Sequence, residues 1–489
     1  MNNLLKDLGI NYLLVNSTNE YLVEYSALSE NARYTLTGFS GSTGDALLTE
    51  DNIYLFVDGR YHTQADNEAK EGVNVIKLQL GQKQDEEIKK LIDEDKVLGI
   101  VSKKVSQQRL EGFNGYNIKL LDIDPINNYT EPHNQPLERA FKPIYYKPEK
   151  PWFISNLEEA SYITGLRDFS RDCSSKIWAK LYIDSDKQVL FENSKDCDEF
   201  LRNFNGELLV DKASINAHDY ALIKEPIHNL SPVKQMKAIK SQQEIESYKK
   251  AFERTDMAVQ AIRNYIESNE NLSEYDIAKR LREEFMNGAK SLSFNSIVAI
   301  DKNSALAHYS KNSKDIILKD GSLVLIDCGA YYESGLATDI TRVFVKGQPS
   351  MLQKRVYTTV LKAFLNAFNR NFKTGYEYDA LAHSILDDKI EGFTFGHGLG
   401  HGLGINVHEA PPALNKSEIA HTELQDGMCF SIEPGLYNPD YFGVRLENSC
   451  YKKDGKIHSF VKMGYEGKLI DYNSLSEQEK EWLKDFEIL

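Results

Sequence analysis

The stretch S-L-V-L-I-D-C-G-A-Y-Y-E-S-G-L-A-T-D-I-T-R-V-F, Ser322 to Phe344, decides how this chain is read. Two β-rich runs flank Y-Y-E-S-G-L, and Gly335 suits a tight turn, so the segment predicts a hairpin. Each arm carries an acid among apolar β-formers: Asp327 closes L-V-L-I, and Asp339 precedes I-T-R-V-F. An ionised carboxylate in such a strand is costly unless it is paired or bound to a cation.

Two more strands repeat the oddity. Glu433 follows C-F-S-I, and Glu447 follows V-R-L beyond another turn sequence, Y-N-P-D-Y-F-G. One such acid is ordinary, since backbone N–H groups can cap it. Four in one region with few Lys or Arg nearby point to cations, each acidic pair meeting across a two-stranded ribbon. Four carboxylates and one histidine suit two divalent ions of the Mn²⁺, Fe²⁺, Co²⁺ or Zn²⁺ type better than a thiolate site would. Four negative charges also balance two dications, which is the arrangement of two-metal hydrolysis.

The histidine has three candidates in G-H-G-L-G-H-G-L-G-I-N-V-H-E-A-P-P (396–412): His397, His401 and His408. H-G-L-G-H has helical i, i+4 spacing, but its glycines oppose a helix. In an extended run the two histidines would share a face with Leu399 and Leu403. Bare glycine there permits close backbone approach. Spacing alone does not choose among the three. A phosphate loop is the rival reading, yet G-K-[ST] and a strand–G-x-G-x-x-G–helix context are both missing. G-F-S-G-S-T-G at 38–44 predicts a turn for the same reason.

Around this region the chain is ordinary soluble material. Its 489 residues are 41% hydrophobic and 27% charged, enough for several packed domains. The net charge of −15 argues against a nucleic-acid surface. Five cysteines without CxxC spacing fit reduced thiols rather than a disulfide framework. The start, M-N-N-L-L-K-D-L-G-I, lacks a basic flank before an apolar run, and no apolar stretch nears the ~20 residues of a membrane span. A cytoplasmic protein without membrane attachment is expected.

Six prolines from Pro125 to Pro151, Pro132 among them, mark 126–151 as a linker that holds neither helix nor central strand. It follows an α/β segment, 1–125, in which short apolar strands alternate with polar helical patterns. The middle segment, 152–234, echoes the first. Y-T-L-T-G-F (34–39) and S-Y-I-T-G-L (161–166) each read as a helix with a glycine stop, followed by a strand–acidic turn–strand hairpin. The third segment, 235–489, opens with a capping box at Ser241 and Glu244. A 3.6-residue stripe of Ile245, Tyr248, Phe252, Val259, Ile262 and Ile266 then predicts a long helix with one buried face.

The acids in D-C-G-A, T-D-I-T-R, S-I-E-P-G and V-R-L-E-N, with the histidine of G-L-G-H-G, resemble the ligand set of the creatinase, prolidase and methionine aminopeptidase superfamily. Within these "pita-bread" metallopeptidases the resemblance is to the aminopeptidase P (Xaa-Pro aminopeptidase) group. It is strong over 235–489 and extends through T-G-F-S-G-S-T-G, F-V-D-G-R-Y-H-T-Q-A and W-F-I-S-N-L-E-E-A-S-Y-I-T-G-L-R. It implies an α/β (α+β) architecture, with a C-terminal pita-bread catalytic domain behind two smaller creatinase-N-type domains. It also implies that Asp327, Asp339, His401, Glu433 and Glu447 hold two divalent ions, Mn²⁺ first, with Co²⁺ or Zn²⁺ suiting the same donors.

Carried over residue by residue, the resemblance makes Glu433 a proton shuttle for a bridging hydroxide. His308 and His408 would hydrogen-bond the scissile carbonyl and its oxyanion. His397 would flank the pocket for a proline ring, and Arg445 would border the substrate site and pair with the ligating carboxylates. His62, His218 and His458 are expected to be surface or packing residues. The implied activity is release of the N-terminal residue from peptides with proline second, by a homodimer. The alternatives are a prolidase confined to Xaa-Pro dipeptides and a non-catalytic binding module, although such modules lose ligands that this chain keeps. Two departures stand out. Asp327 and Asp339 lie one residue further apart than is usual, which predicts a bulge or a longer turn at Tyr332–Leu336. The middle segment is short for a three-domain member.

Overall fold

The structure, a computed structural model, describes residues 2–79, 81–130, 136–309 and 311–489, so Pro132 of the proline-rich segment lies outside it. Two compact units divide the chain: Met1–Asp168 with Ile177–Val233, and Phe169–Lys176 with Lys234–Leu489. Among the described residues no helix is long and apolar enough to cross a membrane, and all five cysteines are free thiols.

The first unit holds two sheets built on one plan. Strands β1 (Tyr12–Val15), β2 (Ala46–Leu48), β3 (Ile53–Val57), β4 (Val73–Lys77), β5 (Val97–Val101) and β6 (Asn117–Leu121) lie in the order β4-β3-β2-β1-β5-β6. The β1–β2–β3 joins are antiparallel, and β4, β5 and β6 add in parallel. In the second sheet β7 (Trp152–Ile154), β8 (Lys180–Ile183), β9 (Gln188–Phe191), β10 (Glu207–Val210) and β11 (Glu225–His228) run β9-β8-β7-β10-β11. Their joins repeat those of β1, β2, β3, β5 and β6, and only β4 lacks a counterpart.

The local cause of this likeness is the echoed sequence. Helices α1 (Ala32–Thr37) and α2 (Leu157–Thr164) start under Asn31 and Asn156 side-chain caps. Each ends on a glycine in the left-handed region, Gly38 at φ +79° and Gly165 at φ +68°, before the chain turns into its hairpin. Within 126–151 the described residues form only a two-residue strand, Glu138–Arg139, paired with Leu166–Arg167.

Phe169–Lys176, inside the middle segment, belongs to the second unit. There the Cys173 N–H donates to Ser291 Oγ (3.1 Å), the Ser175 hydroxyl to the Gly335 carbonyl (2.7 Å) and Lys176 Nζ to Asn406 Oδ1 (3.2 Å).

The second unit is organised by a sheet whose strands include β12 (Ile297–Ile300), β13 (Leu323–Cys328) and β14 (Ile340–Val345). Further along the chain come β15 (Gly400–His401), β16 (Ala413–Leu414), β17 (Cys429–Ile432), β18 (Gly435–Tyr437), β19 (Gly443–Arg445), β20 (Glu447–Lys453) and β21 (Lys456–Ser459). The main antiparallel order is β12-β13-β14-β20-β17, with β21 also on β20. Its longer helices are α3 (Gln242–Ser268), α4 (Glu274–Met286), α5 (Met351–Phe368) and α6 (Gly375–Leu386). Helix α3 starts at the expected Ser241–Glu244 capping box and buries the whole predicted stripe from Ile245 to Ile266.

The sheet face bearing Leu323, Leu325, Val343 and Val345 packs into the main core with Val356, Val360, Leu361 and Phe364 of α5. By the two-residue alternation of a strand, this same face runs on into Asp327 and Thr341. The acids therefore continue a core-facing row, which is why they are buried.

A candidate metal centre on one sheet face

The predicted hairpin forms. Asp327 pairs with Thr341, Cys328 with Ile340 and Tyr331 with Ala337, all in one register. The extra residue is therefore absorbed by the turn, where the Gly335 N–H donates to the Tyr332 carbonyl (2.8 Å) at φ +62°, and no bulge interrupts the arms.

Register then builds a row of oxygen donors. Thr341, opposite Asp327, is also opposite Glu447 on its other side. The pairing of Ile432 with Asn448 and of Gly435 with Arg445 sets Glu433 opposite Glu447. Asp327, Thr341, Glu447 and Glu433 thus cross four strands in line. The two glutamates meet directly, as expected of an acidic pair. Asp339 instead sits diagonal to Asp327, one alternation along the same face.

His401 enters this row from β15, which lies along β17. Its N–H donates to Ser431 Oγ (3.0 Å), and the Glu433 N–H donates to the Leu399 carbonyl (2.8 Å). The approach is so close that a Cβ on Gly400 would stand 2.1 Å from the Ser431 carbonyl oxygen. Nδ1 of His401 is 3.0 Å from the Gly402 carbonyl oxygen and so carries the ring proton. Nε2 faces Glu433 Oε1 (3.4 Å) and Asp339 Oδ2 (3.5 Å), separations wider than a direct N–H···O bond of ordinary length. Donor atoms held at that spacing leave room for a positive ion among them.

The rest of the cluster makes the same demand. Donor atoms of Asp339, His401 and Glu447 all lie within 4.8 Å of one another. Asp327 Oδ1, Asp339 Oδ1 and Glu447 Oε1 are buried with no hydrogen-bond partner. Burial and the neighbouring carboxylates push Asp339 and Glu447 well above the ordinary carboxylate range. Burial, reinforced by Asp327, lifts Glu433 to about 7 against the opposing pull of Arg445. Orphaned oxygens, an imidazole nitrogen aimed inward and acids that cannot all ionise by themselves fit divalent cations, with hard oxygen donors and one imidazole around them. Asp198, His218 and Asp219 also cluster, but there the buried Lys180 already pairs with Asp219.

One positive group serves the row. Arg445 is 3% exposed and donates from Nη2 to Asp327 Oδ2 (2.5 Å), from Nε to Thr341 Oγ1 (3.1 Å) and from Nη1 to Tyr437 OH (2.8 Å). The Thr341 hydroxyl donates in turn to Glu447 Oε2 (2.8 Å). His397 Nδ1 faces the Gly398 carbonyl (2.8 Å), so its Nε2 accepts from the Tyr437 hydroxyl (2.8 Å). A hydrogen-bond chain therefore runs His397–Tyr437–Arg445–Asp327. His408 sets its ring edge-on to His401, with centroids 4.4 Å apart. The half-buried His308 follows the 3-10 turn Asp301–Ala305, which Ser304 and Gly443 fasten to β19 by bonds of 2.8 and 3.0 Å.

Thr341, Ser431 and Tyr437 are contributors that sequence reasoning missed. Their signal was present: Thr341 lies one alternation from Asp339, and Ser431 and Tyr437 share the parity of Glu433. His62, His218 and His458 make packing or surface contacts with Leu78, Asp198 and Tyr451.

Residues 246–453 match the metallopeptidase family M24 model, and residues 1–128 match the creatinase/prolidase N-terminal domain. A probable Xaa-Pro aminopeptidase P of Coprinopsis cinerea is 27% identical, over 99% of this chain and 92% of that one. Xaa-Pro aminopeptidase 1 of Dictyostelium discoideum is 26% identical, over 99% and 90%. The fold is similar to that of X-prolyl aminopeptidase from Caenorhabditis elegans, described as a cytosolic enzyme with a di-nuclear active site. The TM-score is 0.87 at 20% identity, over 97% of this chain and 90% of that one. With residues 1–128 matched to the creatinase/prolidase N-terminal domain and the carboxylate–histidine cluster lying inside the matched stretch 246–453, the chain is a hydrolase that carries a metallopeptidase M24 domain behind a creatinase/prolidase-type N-terminal domain.

Proposed function

We propose that this chain is a dinuclear metal-dependent Xaa-Pro aminopeptidase that releases the N-terminal residue from peptides with proline second, acting as a cytoplasmic homodimer. The observation that carries the reading is the row of buried, partly orphaned carboxylates closed by His401. It stands on a chain matched along 99% of its length by proteins named Xaa-Pro aminopeptidases.

Asp327, Asp339, His401, Glu433 and Glu447 would hold two divalent ions, with Mn²⁺ favoured and Co²⁺ or Zn²⁺ suiting the same donors. Such ions supply Lewis-acid polarisation of a carbonyl and acidification of water. The remaining steps belong to the side chains. A Glu433 carboxylate oxygen accepts a proton from the attacking water as the water oxygen bonds to the Xaa carbonyl carbon. His408 and His308 donate to the carbonyl oxygen as it takes on charge. When the C–N bond breaks, the proline nitrogen takes the electron pair and the proton that Glu433 held. His397, steadied by Gly398 and Tyr437, flanks the ring. A prolyl amide has no N–H, so a shaped pocket replaces the hydrogen bond that other aminopeptidases use.

The test combines metal analysis of protein purified without chelators with peptides of graded length. About two metal ions per chain are expected, with cleavage of Xaa-Pro-Xaa and longer peptides that chelation abolishes and Mn²⁺ restores. Cleavage confined to Xaa-Pro dipeptides would make the chain a prolidase. Protein that reproducibly holds no metal and cleaves neither class would refute the enzyme reading. Light scattering on the same preparation checks the dimer.

A further inference from the structure

We infer that Glu409 is a positioning residue: its carboxylate, clamped between Lys237 and Lys240, fixes the loop that carries His401 at one mouth and His408 at the other. The inference rests on the roles proposed above for those two histidines.

Residues 402–409 curl around this side chain. The Glu409 N–H donates to the Gly402 carbonyl (2.9 Å), closing the loop. Inside it, Glu409 Oε2 accepts the N–H of Ile405 (2.9 Å) and of Asn406 (3.3 Å). Oε1 receives Lys240 Nζ at 3.1 Å and Lys237 Nζ at 3.3 Å, and Lys240 also donates to the Lys237 carbonyl (2.5 Å). All three side chains are buried. A second tie comes from Lys176, whose Nζ reaches Asn406 Oδ1 (3.2 Å), while Asn406 Nδ2 donates to the His408 carbonyl (3.0 Å).

The glycines of the stretch are shaped to this carboxylate. A Cβ at 404 would lie 1.9 Å from Glu409 Oε1, and one at 402 would lie 2.1 Å from the Glu409 carbonyl oxygen. Stability alone does not account for the cluster, because well-packed apolar residues hold a fold as well as a buried ion group does. Apolar atoms cannot accept two backbone N–H groups from inside a turn. What the carboxylate adds is the shape of the loop, and with it the edge-on setting of the two rings 4.4 Å apart. The mechanism uses His401 and His408 but leaves Glu409 and its lysines unexplained.

The test uses the full chain with Glu409→Gln, which keeps the shape but loses the charge, and Glu409→Asp, which keeps the charge on a shorter stem. Metal-free protein labelled with ¹⁵N-histidine reports on its 11 imidazoles. Glu409→Gln is expected to move the His401 and His408 signals and leave His62 and His458 in place. Titration of the apo protein with Co²⁺ and turnover of an Xaa-Pro-Xaa peptide should each show a loss of about 10–100-fold, in kcat rather than KM, partly recovered in Glu409→Asp. Folded Glu409→Gln protein with wild-type histidine signals, or with wild-type Co²⁺ affinity and kcat, would overturn the inference. So would aspartate faring no better than glutamine. If Glu409→Gln does not fold, Gly404→Ala displaces the carboxylate without removing its charge, and the same readouts decide. If the wild type cleaves no Xaa-Pro peptide, the proposed function falls, while the metal-free histidine signals still judge Glu409.

Discussion

Two regions of the second unit place the candidate site, and they do so by different physics. On the sheet, Asp327, Thr341, Glu447 and Glu433 are aligned by strand register, so each position follows from the hydrogen-bond ladder beneath it. On the glycine-rich loop, His401 and His408 have little ladder to hold them, because β15 and β16 are two residues each. Their geometry is set by a buried ionic cluster that includes Lys237 and Lys240. A backbone ladder is insensitive to most side-chain changes, whereas an ionic clamp depends on a few charges. The sheet half should therefore lose function without losing structure, and the loop half should respond to charge and pH.

The largest effect is expected where the sheet supplies chemistry. Glu433→Ala should reduce turnover by about 10²–10⁴-fold while circular dichroism and the thermal midpoint stay near wild type. Asp339→Ala should also abolish turnover with the fold retained. Near-normal activity in either would break the comparison at its stronger side.

The loop should show itself in acid. Burial pushes the Glu409 carboxyl up, but Lys237 and Lys240 outweigh it and hold the group at about 2 against an ordinary value of 4.5. A depressed carboxylate stabilises the fold above its unfolded pKa, and that contribution disappears as pH falls through the folded value. Urea midpoints taken from about pH 5 down to about pH 2 should reveal a loss of about 3 kcal/mol from this group, missing from Glu409→Gln. An unchanged acid slope in that variant would deny the clamp its charge.

Smaller effects separate the regions further. Tyr437→Phe removes the oxygen shared by Arg445 and His397, and should cost about 1–3 kcal/mol in denaturant unfolding. Thr341→Val removes one bond to Glu447 and one from Arg445 on the ladder itself, and should cost about 1 kcal/mol. Combined with Glu409→Gln, Thr341→Val should add within about 0.5 kcal/mol, since the two sites share no partner. Strong coupling would merge the two regions into one.

The same division governs what the sequence discloses. Asp327, Asp339, Glu433 and Glu447 were legible because a charged residue among apolar β-formers contradicts its surroundings, and the turn at Gly335 fixed which strands meet. The doubled sheet was legible because helix, glycine stop and hairpin recur in order. The clamp was not. K-Q-M-K-A-I-K (234–240) reads as a solvated basic helix end, and nothing links Lys237 or Lys240 to a glutamate far along the chain. Tyr437 was lost among many tyrosines, although its parity with Glu433 marks it. That Phe169–Lys176 packs with the second unit has no local cause, since the carbonyls it serves, those of Gly335 and Ile405, are placed only by the finished fold.

The clearance at Gly404 also has a historical side. Because a methyl group there would occupy the space of the Glu409 carboxylate, neither position is free to drift alone. A lineage that gave up the acid could afterwards admit a side chain at 404, but the reverse order passes through a clash. Relatives of this chain should therefore change the two positions together, or acid first, so that the pair records the order in which substitutions were accepted.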